Sequence, residues 1–260
     1  MDSKPPGAPA VARALRVLEY LADTGGGNVR MSDLASQLGI PKASLHHVLA
    51  ALLDAGWIER EPIMKNITLG LRAWEVGHAY DVAQSLSQRA QPFMDAVRDE
   101  LGETVRLAVL SGRDNVCLAK SEGRHTLVFD QRVGARLPAH ATGLGKALLS
   151  GLSKDQVAEL YANFAFEPFT EHTLTSIPSL EKALAVVRER GWAEDNGELI
   201  LGIRCIALPV RSRSGQVLAA LSTSVPSARF SEELREKVLQ QLTTAAHSLS
   251  ERIGEEVALT

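Results

Sequence analysis

In the first seventy residues the apolar positions fall at helical spacing. Val11, Leu15, Leu18 and Leu21 or Ala22 stand three or four apart, which predicts an amphipathic helix closed by Gly25-Gly26-Gly27. Ser32 is placed to cap a second helix of two turns, with Leu34, Ala35 and Leu38 on its apolar face. Gly39 suits the left-handed position just past a helix end. Pro41 fits the first position of a third helix, whose apolar face is Leu45, Val48, Leu49 and Leu52. Trp57-Ile58-Glu59 and Ile67-Thr68-Leu69 then read as two strands around a polar turn that holds Pro62, Lys65 and Asn66.

Two helices meeting across Gly39-Ile40, followed by a short hairpin, are the parts of a winged helix-turn-helix. In that motif the second helix offers its N-terminal residues to the DNA major groove. Lys42, Ser44, His46 and His47 lie off the apolar stripe and, with Ala43 and Ser32, form the expected DNA-facing set. Arg60, Lys65 and Asn66 of the wing are candidate phosphate contacts, which set register without reading sequence. On spacing alone, a three-helix module that meets protein fits equally well.

Beyond Leu69 the pattern stays helical to Leu101, read as a linker helix over 71–84 followed by a domain-opening helix. GETVRLAVLSGRDNVCLAK alternates apolar and polar residues on both sides of Ser111-Gly112-Arg113-Asp114-Asn115 and predicts a hairpin. A further strand is expected over Leu127–Val133, helices over Thr142–Leu149, Lys154–Tyr161 and Leu180–Arg190, strands over Ile203–Val210 and Gln216–Val225, and a last helix over Ser231–Ile253. The mixture predicts an α+β fold of two domains: DNA-binding at 9–70, then a sensor-like domain at 85–256.

In the last hairpin a tip at Arg213-Ser214 sets Cys205 opposite Ser222 and diagonal to Ser224, so that all three share one sheet face. Small side chains leave room there, and serine hydroxyls can donate to a bound oxygen. Close packing against a helix accounts for the same residues. Gly143-Leu144-Gly145-Lys146 resembles part of a phosphate loop, but His140 and Ala147 stand where that motif needs Gly and Ser or Thr. A nucleotide triphosphatase is therefore excluded. What remains is a helix N-terminus near Thr142, where unpaired N–H groups and the dipole favour an anion.

Charge adds little. The net charge is −3, and in residues 1–70 seven basic side chains balance seven acidic ones. DNA binding thus rests on local geometry rather than on a basic field. The two cysteines, Cys117 and Cys205, have neither disulfide-framework nor zinc-site spacing, and neither metal nor cofactor is expected. No apolar run approaches the ~18 residues of a membrane span. The opening MDSKPPGAPA reads as neither a signal nor a transit peptide, so a cytoplasmic protein without membrane partners is expected.

Five blocks in order, LGIPKASLHHVLAALLDAGWIER, LGLRAWEVG, GETVRLAVLSG, VGARLPAHATGLGKALL and GIRCIALPV, resemble the IclR family of transcriptional regulators over nearly the whole chain. The resemblance implies a winged helix-turn-helix, a linker helix and a C-terminal α/β effector-binding domain similar to GAF and PAS modules. It also implies a homodimer or homotetramer on double-stranded operator DNA, and a small-molecule effector, an organic acid or aromatic compound. Carried over residue by residue, the effector pocket takes Leu137, Ala141, Thr142, Gly143, Leu144, Asp195, Cys205, Ser222 and Ser224. Two departures stand out. Relatives often have Arg where this chain has His47, which implies an altered phosphate contact. Arg106 occupies a strand position where relatives often carry a smaller polar residue. Its side chain either points to solvent or faces the pocket and pairs with an effector carboxylate.

Two rival classes are open to test. An enzyme would use Cys205, His140 and Asp195 as nucleophile, base and orienter, but Cys205 lies mid-strand without a helix N-terminus or nearby cation to activate it. The other alternative is a protein-interaction or small-molecule sensor module that binds no DNA.

Overall fold

The computed structural model describes residues 9–79, 81–124 and 132–253, and for 81–84 the backbone alone. The chain forms two compact units, 1–81 and 82–260.

The first unit carries α1 (Pro9–Asp23), β1 (Gly27–Val29), α2 (Met31–Leu38), α3 (Lys42–Asp54), β2 (Ile58–Arg60), β3 (Ile67–Leu69) and α4 (Leu71–His78). Its core is Val17 and Leu21 of α1, Leu34 of α2, the α3 stripe Leu45, Val48, Leu49 and Leu52, and Ile40, Ile58 and Ile67. The turn between α2 and α3 forms because Gly39 takes φ 60°, ψ 30°, and Ile40 N–H closes on Ala35 O at 3.2 Å. Glycine adopts that conformation at the lowest cost, because it has no Cβ to strain. The Gly-rich stretch does more than end α1: β1 pairs with β3, giving a three-stranded antiparallel sheet in the order β1-β3-β2.

Three local expectations for this unit need correction. Val11 and Leu15 do not face the core but stand 58% and 54% exposed, because packing selects Val17 and Leu21 instead. Ser32 does not cap α2. The helix starts two residues earlier, with Arg30 at the cap, and Ser32 Oγ bonds to Asp33 Oδ1 at 3.2 Å. Pro41 sits at the cap of α3 rather than inside it, its carbonyl accepting from Leu45 N–H at 2.9 Å.

The second unit carries α5 (Asp81–Leu101), β4 (Val105–Ser111), β5 (Asp114–Ser121), β6 (Arg136–Pro138), a 3-10 turn at Ala139–Ala141, α6 (Gly143–Leu149), α7 (Lys154–Leu160), α8 (Ile177–Arg190), β7 (Ala193–Asn196), β8 (Ile203–Arg211), β9 (Val217–Pro226) and α9 (Glu232–Ile253). The helical stretch before the sensor therefore breaks after His78, and residues 81–84, expected in the linker, belong to α5. The strand expected over Leu127–Val133 falls largely outside the described residues, and Val133 stands in a turn.

The strands form one antiparallel six-stranded sheet in the order β6-β5-β4-β9-β8-β7. Both faces are covered. Leu86, Met94, Leu107, Leu208, Leu221, Leu242 and Leu249 join α5 and α9 to one face. Leu144, Ala147, Leu148 and Val187 join α6 and α8 to the small residues Ala108, Ala193, Ala207 and Ala220 on the other. Among the described residues no helix is long and apolar enough to cross a membrane.

Candidate functional site

Small side chains on the α6 face leave a cavity between that helix and the sheet, with about 550 Å³ of empty space, its mouth included. Strand pairing builds its floor. Asp195 on β7 pairs with Cys205 on β8, and Cys205 with Ser224 on β9. Two residues away on β9, Ser222 pairs with Arg106 on β4. The register differs from the expected one: Cys205 lies opposite Ser224, not Ser222, because the loop closes through Ser212 N–H to Gln216 O and a bulge follows Val210. The pairing slips by two residues, one full period of the strand, so Cys205, Ser222 and Ser224 still share a face.

Arg106 is 3% exposed and lines the cavity, and its Nε has no hydrogen-bond partner. Alternation placed it off the Val105–Leu107 face correctly, but that second face is covered too, so polar does not mean solvated here. Leu137, Thr142, Gly143 and Leu144 also line the cavity, whereas Ala141 is buried beside it without reaching the wall. Sequence reasoning missed Asn115, Leu199, Ile200 and Ile203. Asn115 reads as a turn residue yet sits inside β5, opposite Leu110 on one side and Leu137 on the other. The available signal for the remaining wall was Leu199-Ile200-Leu201, an apolar run in a loop between Gly197 and Gly202.

Thr142 caps α6, its Oγ1 accepting from Gly145 N–H at 3.0 Å. The anion reading of this helix start is thereby weakened, since one orphan amide is already satisfied and α6 has only seven residues. Lys146, the residue that suggested a phosphate loop, is buried in an ion pair with Glu198. Glu198 N–H in turn donates to Asp195 Oδ1 at 2.7 Å, and Thr173 Oγ1 donates to Glu198 O at 2.6 Å. The wall around Leu199 and Ile200 is thus tied to α6 and to the 170–173 loop.

Burial governs the ionisation of this floor. The Asp195 carboxyl is pushed up to about 7 by desolvation first and by the Glu198 charge second, against the N–H bonds and Lys146 that favour its anion. Burial raises Glu198 as well, opposed by Lys146. The Cys205 thiol is pushed up to about 11 by burial, then by Asp195, although the Ser224 and Ser222 hydroxyls and, more weakly, Arg106 act on it in the other direction. A cation does stand near Cys205, contrary to expectation, but desolvation outweighs it. His140 is packed among Tyr161, Phe164, Phe166 and Phe169, its pKa lowered by burial against the opposing pull of the Glu167 backbone. Cys205, His140 and Asp195 therefore do not form a hydrogen-bonded triad.

In the first unit Lys42, Ala43, His46 and His47 are exposed on the first two turns of α3, Ser44 is half-buried, and no acidic residue lies in the first turn. Ser32, Arg60 and Lys65 are exposed too. Asn66 is a correction: it is 8% exposed, and its Nδ2 donates to Asn28 Oδ1 at 2.8 Å, an internal bond that joins the wing to β1 and withdraws it from phosphate.

Residues 10–62 match the IclR helix-turn-helix domain, and residues 78–251 match the bacterial transcriptional regulator IclR C-terminal domain. The chain is 33% identical over 245 residues to the HTH-type transcriptional regulator XynR of Escherichia coli strain K12, covering 94% of this chain and 97% of that one. It is 30% identical over 226 residues to the transcriptional repressor IclR of the same organism, covering 86% and 82%. An IclR homolog of Microbacterium hydrocarbonoxydans, solved complexed with 4-hydroxybenzoate, superposes with a TM-score of 0.79 at 27% identity, covering 94% and 99%. The relatives are named as regulators and repressors rather than as enzymes. The helix-turn-helix with its exposed α3 and the cavity-bearing sheet are therefore the DNA-binding and effector domains of a member of the IclR family of bacterial transcriptional regulators.

Proposed function

We propose that this protein is a cytoplasmic, non-enzymatic switch that binds an operator as a homodimer or homotetramer and responds to a small carboxylate-bearing metabolite. The observation that carries the ligand class is Arg106: a guanidinium almost wholly buried in a cavity wall, with no ion pair among the described residues. A buried cation without a counter-charge is costly, and a carboxylate supplies the missing partner. Ser222, buried beside it next to Cys205, offers a further hydroxyl. Asp195 does not oppose this below neutrality, because burial keeps it protonated there. Apolar Leu137, Leu144, Leu199 and Ile203 suit the carbon body of an organic or aromatic acid.

Self-association is supported by apolar side chains left in water on α1 and α4: Val11, Leu15, Leu71, Trp74 and Val76 are each 46–63% exposed. In a dimer, a change of state in the sensor alters the spacing of paired recognition helices, which must match half-sites about 34 Å apart. A coupling of about 1–3 kcal/mol changes operator occupancy at least severalfold.

The test combines two measurements. A thermal-shift screen over small carboxylates identifies a ligand that stabilises the fold, and Arg106→Ala weakens its binding about ten- to a hundredfold. A gel shift on DNA upstream of the protein's own gene, repeated at raised salt, then shows a specific complex altered by that ligand. Unchanged affinity in Arg106→Ala sinks the carboxylate assignment. Sequence-independent binding alone favours a sensor or interaction module instead.

A further inference from the structure

Arg106 accounts for one end of a ligand, and Asn115 bears on the other. Asn115 lines the cavity, is completely buried and, unlike most buried amides, has its orientation fixed by chemistry. Its Nδ2 lies 3.1 Å from the backbone oxygen of Leu137, an atom that only accepts, so the nitrogen cannot be exchanged for the oxygen. The second Nδ2 hydrogen goes to Thr142 Oγ1 at 2.9 Å. Both donors are engaged. Oδ1 is left over, buried and without a hydrogen-bond partner. An amide oxygen accepts and never donates, so whatever satisfies it must bring a hydrogen.

A carboxylate is the wrong group for that position, since it is itself acceptor-only when ionised. The two side chains are also rooted at well-separated points of the sheet. Arg106 pairs with Ser222, whereas Asn115 pairs with Leu110, four residues further along β4, a distance of about 13 Å along the strand. One small ligand therefore meets them with different ends. A charged ammonium at the Asn115 end carries a large desolvation cost, and among the described residues no buried acidic side chain adjoins Asn115 to offset it, whereas a neutral hydroxyl carries a smaller one.

Given that Arg106 holds a carboxylate, as proposed above, we infer that the effector is a hydroxy acid, its carboxylate on Arg106 and a distal O–H donating to Asn115 Oδ1. The hydroxyl fills the one hydrogen-bond vacancy of a side chain that already anchors β6 and the capping residue of α6, which couples ligand arrival to the start of that helix.

Titration calorimetry on the full-length protein tests this with acids matched except for the donor: 4-hydroxybutanoate against butanoate, 6-hydroxyhexanoate against hexanoate, and 4-hydroxybenzoate against 4-fluorobenzoate. In at least one pair the hydroxy acid binds at least about tenfold more tightly. Asn115→Leu erases the difference within that pair. Should that variant fail to fold, the methyl ether of the preferred acid replaces it, keeping the oxygen and losing the hydrogen, and binds no better than the acid lacking the hydroxyl. Equal affinities within every pair, with binding lost in Arg106→Ala, overturn the donor assignment and leave the carboxylate assignment standing. Absence of binding by all of these acids overturns both.

Discussion

At the scale of single residues, the burial of Asp195 sets the pH dependence expected of the cavity between α6 and the sheet. Its carboxyl ionises near 7 in the folded protein against 3.8 in an unperturbed chain, so between those values the folded state holds a proton that the unfolded state has released. Stability therefore falls as pH rises through that window, by at most about 4 kcal/mol. Asp195→Asn, neutral throughout, lacks this loss: urea unfolding is expected to show the variant gaining on the parent from pH 5 to pH 8, and a constant difference would contradict the buried-acid assignment. Ligand affinity follows the same sign. A carboxylate meets a neutral Asp195 below 7 and an anion above it, so calorimetric affinity declines as pH rises through 7 in the parent and stays flat in Asp195→Asn. The charges framing this behaviour are Arg106 in the wall and the Lys146–Glu198 pair behind it.

Among the elements, two short helices depend on glycine for different physical reasons, which makes their substitutions distinguishable. Gly39 needs only its left-handed backbone; a side chain there meets open space, so Gly39→Ala costs about 1–2 kcal/mol and Asn is tolerated better. Gly145 in α6 is a matter of room, because a Cβ would lie 2.1 Å from Ala139 O, a backbone atom that cannot swing aside. Gly145→Ala is expected to cost about 1–3 kcal/mol or more and to loosen the cavity wall. Denaturant unfolding followed by Trp192 alone, with Trp57 and Trp74 replaced by Phe, reports on the second unit and separates the two cases. On the recognition helix, Lys42→Ala is expected to weaken DNA binding uniformly across sequences and to lower the salt slope by about 1, read from gel shifts over a salt series. A loss confined to one operator sequence would make Lys42 a base-reading residue instead.

For the whole molecule, the proposed self-association is the property to test. Leu71 and Trp74 are 63% and 61% exposed on α4, whose ring stacking of Trp74 on His78 at 4.4 Å holds the indole in place. Burying such side chains contributes on the order of 1.5–3 kcal/mol each. A Leu71→Glu, Trp74→Glu double variant should sediment as a smaller species and lose operator affinity steeply, because a monomer holds one half-site. Unchanged sedimentation would move the interface elsewhere. The balanced charge of the first seventy residues is in keeping with the proposal: with no basic field, a dimer that places two recognition helices together would supply the affinity one helix lacks.

The helix-turn-helix was legible because its signals are local. Gly39, the stripe Leu45-Val48-Leu49-Leu52 and the strand pair 58–60 and 67–69 each depend on neighbours within a few residues. The common face of Cys205, Ser222 and Ser224 was legible even with the register misplaced by two, since side-chain direction repeats every second residue. Tertiary packing alone decided the rest. Val11 and Leu15 are as apolar as Val17 and Leu21, yet only the second pair meets the α3 stripe. Arg106 and Asn115 belong to one hairpin, whereas Leu199 comes from a distant stretch, and all three line one cavity because β4, β5 and the β7–β8 turn surround it. Whether a polar residue is solvated or buried depends on what covers the sheet, and that cover, α6, is fixed by contacts no periodicity records.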